Sequence, residues 1–341
     1  MKKIFTLMAT VAALFATSCA NDATDVVSVD GGETLVTLTA EAPVLASRTT
    51  GDGTTAKNLF FAVYDDQWKF LKEGTSTFNS ELKATVQLRL VNNKVYNFVF
   101  WAQAEGAEAF YAIDWDQAAA ANATPKVTIT YGTKANDETR DAFFGQCPNL
   151  LVNGTISNKE VPLFRPFAQI NFGASTEEVD EAKVGGFDIT TGANAKVKFS
   201  VEAYNQLSLK DGAILDNAST TIVTFTDNSL MNDLTGEALI AKHKEVDATT
   251  GQELTSQKSY HWVSMNYILW HAERGTLNHN KITVTTGNGK VVDVVVPNAN
   301  VQRNYKTNIV GRLFTDPVEF IVEIKPGFND DEYTHEFEDR Q

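Results

Sequence analysis

Residues 281–296 read KITVTTGNGKVVDVVV, and this stretch decides the fold class. Two runs rich in β-branched residues flank the turn sequence Thr286-Gly287-Asn288-Gly289, whose glycines tolerate the positive φ of a tight turn. The pattern therefore predicts an antiparallel β-hairpin. Similar runs recur along the chain between clusters of Thr, Asn, Gly and Asp, and each predicts a strand. They are Thr34–Ala40, Asn58–Tyr64, Ala84–Leu90, Val95–Ala102, Lys126–Tyr131, Phe167–Phe172, Ala195–Val201, Thr220–Thr226 and Val318–Ile324.

Helical segments are few. Ser175 and Glu178 have capping-box spacing, which predicts a short helix over 176–182 that Gly185-Gly186 would end. The Ala-rich stretch 106–121 predicts either a helix or an irregular crossover. Because no long helices alternate with the strands, a parallel α/β sheet is disfavoured and an all-β fold with minor short helices is expected.

Length and charge limit the organisation. A chain of 341 residues is long enough for two cores. Pro162 and Pro166 bracket a probable link, because proline fits strand edges better than sheet centres. Two β-sandwich domains in tandem are therefore predicted, over 49–163 and 164–341. The net charge of −14 argues against nucleic acid as a partner, since phosphates would repel it.

The N-terminus has the features of an export signal. Lys2 and Lys3 precede an apolar stretch that is too short to span a bilayer, which predicts a signal peptide over 1–18. Ala16-Thr17-Ser18-Cys19 resembles a bacterial lipobox, in which the cysteine is lipidated and becomes the mature N-terminus. Ala16 departs from the leucine usual there, and the alternative is an ordinary cleavage site with an incidental Cys19. Lipidation of Cys19 would leave Cys147 as an unpaired, buried small hydrophobe.

Four segments of the chain resemble the fimbrillin-like subunits of the type V pili of Bacteroidales. They are Arg165–Phe172, Met265–Leu269, Val301–Gly311 and Phe320–Phe328. The third is the most specific, because such proteins carry an Arg-Asn-Tyr-x-Thr-Asn-Ile run that leads into the last part of the second domain.

The resemblance implies two transthyretin-like sandwiches and export as an outer-membrane lipoprotein of the cell surface or fimbrium. It also implies a maturation protease that cuts after the first strand. The opened groove is then filled by an extended segment of the next pilin subunit. The partners implied are other pilin subunits, that protease and the outer membrane through a lipid anchor.

These implications map onto particular residues. The segment 19–48 would hold the lipid anchor and a removable first strand, with Val36, Leu38 and Ala40 on one face. Arg48 is the first basic residue after Lys3 and enters a small, polar, Gly-rich segment, so we expect proteolytic processing there; the alternative is a solvated loop arginine.

Two segments are candidates for the strand that this chain would donate to another subunit. Phe320, Val322 and Ile324 alternate along one face and are the candidate donor strand. The same run could be a permanent strand of the second sandwich. In that case the donor would be the charged stretch Asp331–Gln341.

No pattern of catalytic or metal-binding residues stands out, so no enzyme activity, cofactor or metal is expected. The five histidines fit no zinc spacing. We therefore predict a structural, accessory or tip subunit of a surface fimbria. The alternatives are a monomeric adhesin or glycan-binding lipoprotein that exposes Trp68, Trp115 or Trp262 to a host or glycan ligand, and a glycoside hydrolase built on carboxylate pairs such as Asp114 and Asp116.

Overall fold

The computed structural model describes residues 32–43, 53–190, 194–215, 220–230, 240–246, 253–315 and 319–325. Nearly all elements are strands, so the predicted all-β fold is confirmed. Each run predicted as a strand forms one. The first strands are β1 (Glu33–Glu41), β2 (Ala56–Asp65), β3 (Phe70–Thr77), β4 (Lys83–Val91), β5 (Lys94–Ala104), β6 (Tyr111–Asp114), β7 (Lys126–Ile129), β8 (Ala142–Val152) and β9 (Ile156–Pro162).

The later half of the chain adds strands and one α-helix. They are β10 (Phe167–Ser175), α1 (Thr176–Val184), β11 (Lys196–Ala203), β12 (Gln206–Ser208), β13 (Thr221–Ser229), β14 (Ile240–Val246), β15 (Glu253–Leu269), β16 (Gly275–Leu277), β17 (Asn280–Thr285), β18 (Val291–Val295), β19 (Ala299–Val301), β20 (Lys306–Arg312) and β21 (Glu319–Lys325). No helix in these described ranges is long and apolar enough to cross a membrane.

The first sandwich packs a three-stranded sheet, β4-β1-β9, against a four-stranded sheet, β3-β2-β5-β8. Aliphatic and alanine side chains come from the smaller sheet. The larger sheet contributes the bulk of the core through five buried aromatic rings, which are Phe61, Tyr96, Phe98, Phe100 and Phe143.

The second sandwich packs the sheet β14-β15-β10-β20-β21 against β13-β11-β17-β18. Phe172 of β10 meets Phe199 of β11 with ring centroids 6.1 Å apart, which places the core between the two sheets. The predicted hairpin is present as β17 and β18, with Thr285 opposite Val291. Gly289 has the positive φ of 83° that this turn requires.

Strand pairing crosses the predicted boundary at 163/164. β6 and β7 come from the first half but form one sheet with β12 of the second half, in the order β12-β7-β6. The stretch 106–121 is an irregular crossover that contains a 3-10 turn at Ala107–Ala109 and β6. A buried ion pair also links the halves: Arg165 Nε lies 2.5 Å from Asp141 Oδ1, and both side chains are 1% exposed. The domain limits themselves stay a prediction.

The predicted helix is confirmed as α1. Ser175 is its N-cap, and its side chain accepts a hydrogen bond from the Glu178 amide at 3.2 Å. The helix ends at Gly185, and the Lys290 ammonium donates to the Gly185 carbonyl at 3.1 Å, where a cation complements the helix dipole.

Candidate functional site: the first strand and its groove

The first strand lies at the centre of its sheet. β1 pairs antiparallel with β4 along its whole length, from Glu33 opposite Val91 to Glu41 opposite Lys83. It also pairs in parallel with β9, with a register irregularity between Val36 and Leu38. Because both edges of β1 are paired, its removal would leave two rows of unpaired backbone groups.

The inward face of β1 is fully buried. Val36, Leu38 and Ala40 are each 0% exposed and belong to the core of the first sandwich. Ala42, which continues the same alternation beyond the end of the strand, is also buried. The strand predicted at 34–40 is therefore a core strand, with the predicted residues on its inner face.

Contacts at the two ends of β1 fix its register. The Asn92 amide donates to the Gly32 carbonyl at 2.9 Å, and the Leu163 amide donates to the Glu41 carbonyl at 2.9 Å. On the outer face, Lys83 Nζ lies 2.5 Å from Glu41 Oε1. Both side chains are partly exposed, so the ion pair contributes little to stability. A basic residue in place of Glu41 would, however, be repelled by Lys83.

The chain leaves and re-enters the first sandwich at one place. A Cβ built on Gly53 would lie 2.5 Å from the Pro43 carbonyl oxygen, so the two backbones touch. The residues between them, 44–52, include Arg48 and lie outside the described residues. This connection is the only covalent link between β1 and the strands that follow it, so a cut within it leaves β1 held by non-covalent contacts alone.

The candidate donor strand occupies a different environment. β21 is the last strand of the five-stranded sheet and pairs antiparallel with β20, with Val322 opposite Ile309. Val322 and Ile324 are half-buried, and Val322 packs against the second core. Phe320 pairs with Gly311 in the same ladder. Residues 319–324 of the predicted run are thus part of the second sandwich, which is the alternative that the sequence left open; Val318 and Asp331–Gln341 lie outside the described residues.

A buried carboxylate fixes the connection between β20 and β21. Glu178 of α1 is 0% exposed, and its Oε1 accepts hydrogen bonds from the backbone amides of Phe314 and, at 3.0 Å, Thr315. Arg312 adds a more exposed ion pair with Glu181 at 2.6 Å. The sequence did not predict this role, because the pattern identified Glu178 only as the third residue of the helix, where it completes a capping box with Ser175.

The two cysteines differ in what is described. Cys19 lies outside the described residues. Cys147 is a free, buried cysteine on β8 within the same core as β1. Burial raises the pKa of its thiol, and the positive charge of Lys159 opposes that shift in part.

Of the three tryptophans considered for glycan binding, Trp115 is buried, and Trp68 and Trp262 are half-buried and packed against neighbouring residues. Trp115 is only 9% exposed. Trp68 lies 5.4 Å from the Tyr64 ring, and the Lys210 ammonium sits 4.7 Å from its centroid. Trp262 packs against Gly173, on which a Cβ would lie 3.1 Å from the indole.

A serine–histidine contact exists that the sequence did not reveal, since its members lie on different strands. Ser200 Oγ lies 3.0 Å from His279 Nε2. The nearby carboxylate of Glu202 does not orient that imidazole. It accepts instead from the backbone amides of Asn278 and His279, the latter at 2.6 Å. In the part of the chain that the structure describes, no carboxylate accepts a hydrogen bond from this imidazole, as the third member of a catalytic triad would.

The specific motif at 301–311 holds the second sandwich together. Arg303 donates through Nε to the Trp270 carbonyl at 3.0 Å and through Nη1 to the Gly212 carbonyl at 2.8 Å. Burial lowers its pKa to about 10. Thr307 donates to the Asn300 carbonyl at 2.6 Å, and Asn308 accepts from Asn171 at 2.9 Å. The motif is explained by packing and backbone contacts.

Comparison with known proteins gives one family and several distant folds. The family described as "Family of unknown function (DUF6562)" matches residues 28–340. No curated protein sequence matches the chain significantly.

Three similar solved structures illustrate the distant folds. A Bacteroides thetaiotaomicron protein described provisionally as polysaccharide binding (DUF1812) has 12% identity and a TM-score of 0.46, covering 86% of this chain and 98% of its own. The tip fimbrial protein Mfa3 of Porphyromonas gingivalis has 11% identity and a TM-score of 0.44, covering 86% and 99%. A fimbrial assembly protein of Parabacteroides distasonis has 11% identity and a TM-score of 0.44, and the match covers 86% of this chain and 98% of that protein. These likenesses are too distant to assign a function.

Proposed function

We propose that this chain, which belongs to the DUF6562 family, is a structural, accessory or tip subunit of a cell-surface fimbria. It is exported as an outer-membrane lipoprotein anchored at Cys19 and matured by cleavage near Arg48. It then assembles by donor-strand exchange, in which a strand of another subunit replaces β1. The candidate strand that this chain donates carries Phe320, Val322 and Ile324, and it would have to leave its pairing with β20 to enter another subunit.

The position of β1 is the observation that carries the proposal. The strand supplies buried core residues and two paired edges, yet it is joined to the later strands only through the segment that contains Arg48. A cut there separates the strand from the chain without breaking any strand that follows.

The energetics favour replacement over simple loss. Each fully buried Val or Leu side chain contributes about 1.5–3 kcal/mol, so losing Val36 and Leu38 exposes a costly apolar groove. The paired backbone groups on both sides of β1 would also lose their partners. An incoming strand restores the ladders and fills the groove at once, and the contact propagates because each subunit gives at one place and receives at another.

The test is assembly of purified full-length protein after treatment with a trypsin-like protease, followed on unheated denaturing gels. We expect a ladder from the wild type and from Lys57→Ala, a matched control that removes the next basic residue along the chain, within β2. Arg48→Ala should stay monomeric and retain residues 19–48 by mass spectrometry. A ladder of equal intensity from Arg48→Ala would refute cleavage at this residue.

A further inference from the structure

The inward side chains of the first strand become smaller toward its C-terminal end, and we call the positions of Val36 and Leu38 wide and those of Ala40 and Ala42 narrow. The inward positions of this segment read Val36, Leu38, Ala40 and Ala42, so two branched side chains are followed by two methyl groups, and all four are buried. Ala40 lies opposite Ala84 of β4, which is also fully buried.

An aromatic ring of the opposite sheet lies near the narrow end. A Cβ on Gly53 would lie 3.6 Å from the Phe143 ring and 2.5 Å from the Pro43 carbonyl oxygen, so the ring and the residue that follows Ala42 approach the same point. The guanidinium of Arg165 lies 4.8 Å from the same ring and restrains it further. Larger side chains at this end would overpack the core.

We infer that this groove accepts a strand whose alternate residues are large, large, small and small, and that a different kind of subunit supplies it, not a second copy of this chain. The inference rests on the proposed function, because it assumes that β1 is exchanged. The expected partner is then not any pilin subunit but one whose donated strand has this pattern of side-chain sizes.

The chain's own β21 does not fit in the register of β1. Aligned in the same direction, Phe320 and Val322 take the two wide positions, and Ile324 falls on the position of Ala40. An isoleucine there adds three carbons at a fully buried position that holds a methyl group in the native strand, and such additions overpack a core.

The outer face disfavours the same alignment. Lys325 would replace Glu41 opposite Lys83, so an ion pair with 2.5 Å between Lys83 Nζ and the carboxylate would become a contact of like charges. Like charges directly opposite one another destabilise a strand pair.

Other alignments of β21 fail for the same reason. Shifted so that Val322 and Ile324 fill the wide positions, the strand brings Pro326 and Phe328 to the narrow ones, and proline also removes a ladder hydrogen bond. Shifted the other way, Val322 and Ile324 themselves occupy the narrow positions. If β21 enters in the opposite chain direction, Phe320 and Val318 occupy the narrow positions.

The C-terminal stretch offers no better match. Within Asp331–Gln341 the alternate residues Tyr333, His335 and Phe337 are all aromatic, and the stretch carries several carboxylates. Neither segment considered as a donor therefore presents the size pattern of β1.

The test uses the full chain with a site-specific protease sequence inserted beside Arg48. The chain is cut, the β1 fragment is released in denaturant and removed, and the refolded remainder is offered fluorescent peptides, with binding followed by anisotropy. The peptides are ETLVTLTAEA (33–42), EFIVEIKPGF (319–328), and two variants of the first, Ala40→Ile and the volume-conserving control Leu38→Ile. We expect the 33–42 peptide and its Leu38→Ile variant to bind similarly. The 319–328 peptide and the Ala40→Ile variant should bind at least about tenfold more weakly.

Each outcome separates the two claims. Binding of the 319–328 peptide as tight as that of 33–42 would overturn the inference while supporting strand exchange. If even the 33–42 peptide fails to enter, strand exchange itself is refuted. The inference, which rests on strand exchange, then falls with it. The size limit at position 40 is measured separately in the uncut chain, where Ala40→Ile must lower the melting temperature more than Leu38→Ile does. Equal melting temperatures would overturn the inference as well.

Discussion

The first and last strands differ in how the fold holds them. β1 is paired on both edges and its inward residues are fully buried, whereas β21 ends its sheet and keeps Val322 and Ile324 only half-buried. Their connections to the neighbouring strands also differ: β1 is joined to β2 through the segment that contains Arg48, whereas the backbone just before β21 is held by hydrogen bonds from the Phe314 and Thr315 amides to Glu178. The contrast teaches that a strand can be essential to a core and still be the one most easily separated from the chain.

The largest effect that sharpens this comparison is a core truncation in each strand. Leu38→Ala should lower the free energy of unfolding by about 2–5 kcal/mol, because it empties a fully buried site. Val322→Ala should cost about 1 kcal/mol, because that side chain is half-buried. Chemical denaturation followed by tryptophan fluorescence measures both. Equal losses would contradict the difference in burial on which the comparison depends.

A smaller effect concerns the anchor of β21. Glu178→Gln weakens the acceptor of the Phe314 and Thr315 amides, and we expect a loss of about 1–3 kcal/mol in local stability. Hydrogen exchange of the β21 amides should therefore accelerate, while exchange in β1 stays unchanged. Glu181→Gln is the matched control, since its ion pair with Arg312 is exposed and should cost less than about 1 kcal/mol. Unchanged exchange in β21 would show that the carboxylate does not hold this strand.

The smallest effect uses the natural thiol of the first core as a reporter. Cys147 is buried in the same core as the inward face of β1 and its pKa is raised by burial, so alkylation of the intact protein should be slow. Because the pKa of Cys147 is higher in the folded than in the unfolded protein, folding favours the protonated thiol. Its contribution to the free energy of unfolding is complete below the unfolded pKa of about 8.5 and is lost as the pH rises through the pKa of the folded protein. Cutting near Arg48 should speed alkylation only when β1 then departs. Equal alkylation rates before and after β1 leaves the protein would show that β1 does not shield Cys147 from solvent.

The strands with strong alternation were predictable, and the less regular ones were not. Val127 and Ile129 alternate with threonines, and their run forms β7 as predicted. β9 was not predicted, because most of Ile156–Pro162 is exposed and polar and its place follows from pairing with β1. The tryptophans at 262 and 270 would share a face in an unbroken strand, but the register shifts opposite Phe172 and Gly173 and breaks that alternation.

The candidate site was predictable in its residues and not in its setting. The alternation of Val36, Leu38 and Ala40 identified the inner face of the first strand. Its central place between β4 and β9, and the narrow end lined by Ala84, depend on contacts between residues far apart in sequence. Processing at Arg48 and lipidation at Cys19 stay predictions.

A reversible lock on β1 tests the central claim most directly. Leu35 and Arg89 are exposed partners in the β1–β4 ladder, and cysteines at such paired positions lie within reach of a disulfide. The Leu35→Cys/Arg89→Cys protein, treated with the same trypsin-like protease as the wild type, should remain monomeric when oxidised and form the ladder once reductant opens the bond. A ladder of equal extent from the oxidised and the reduced protein would show that subunits assemble without exchanging this strand.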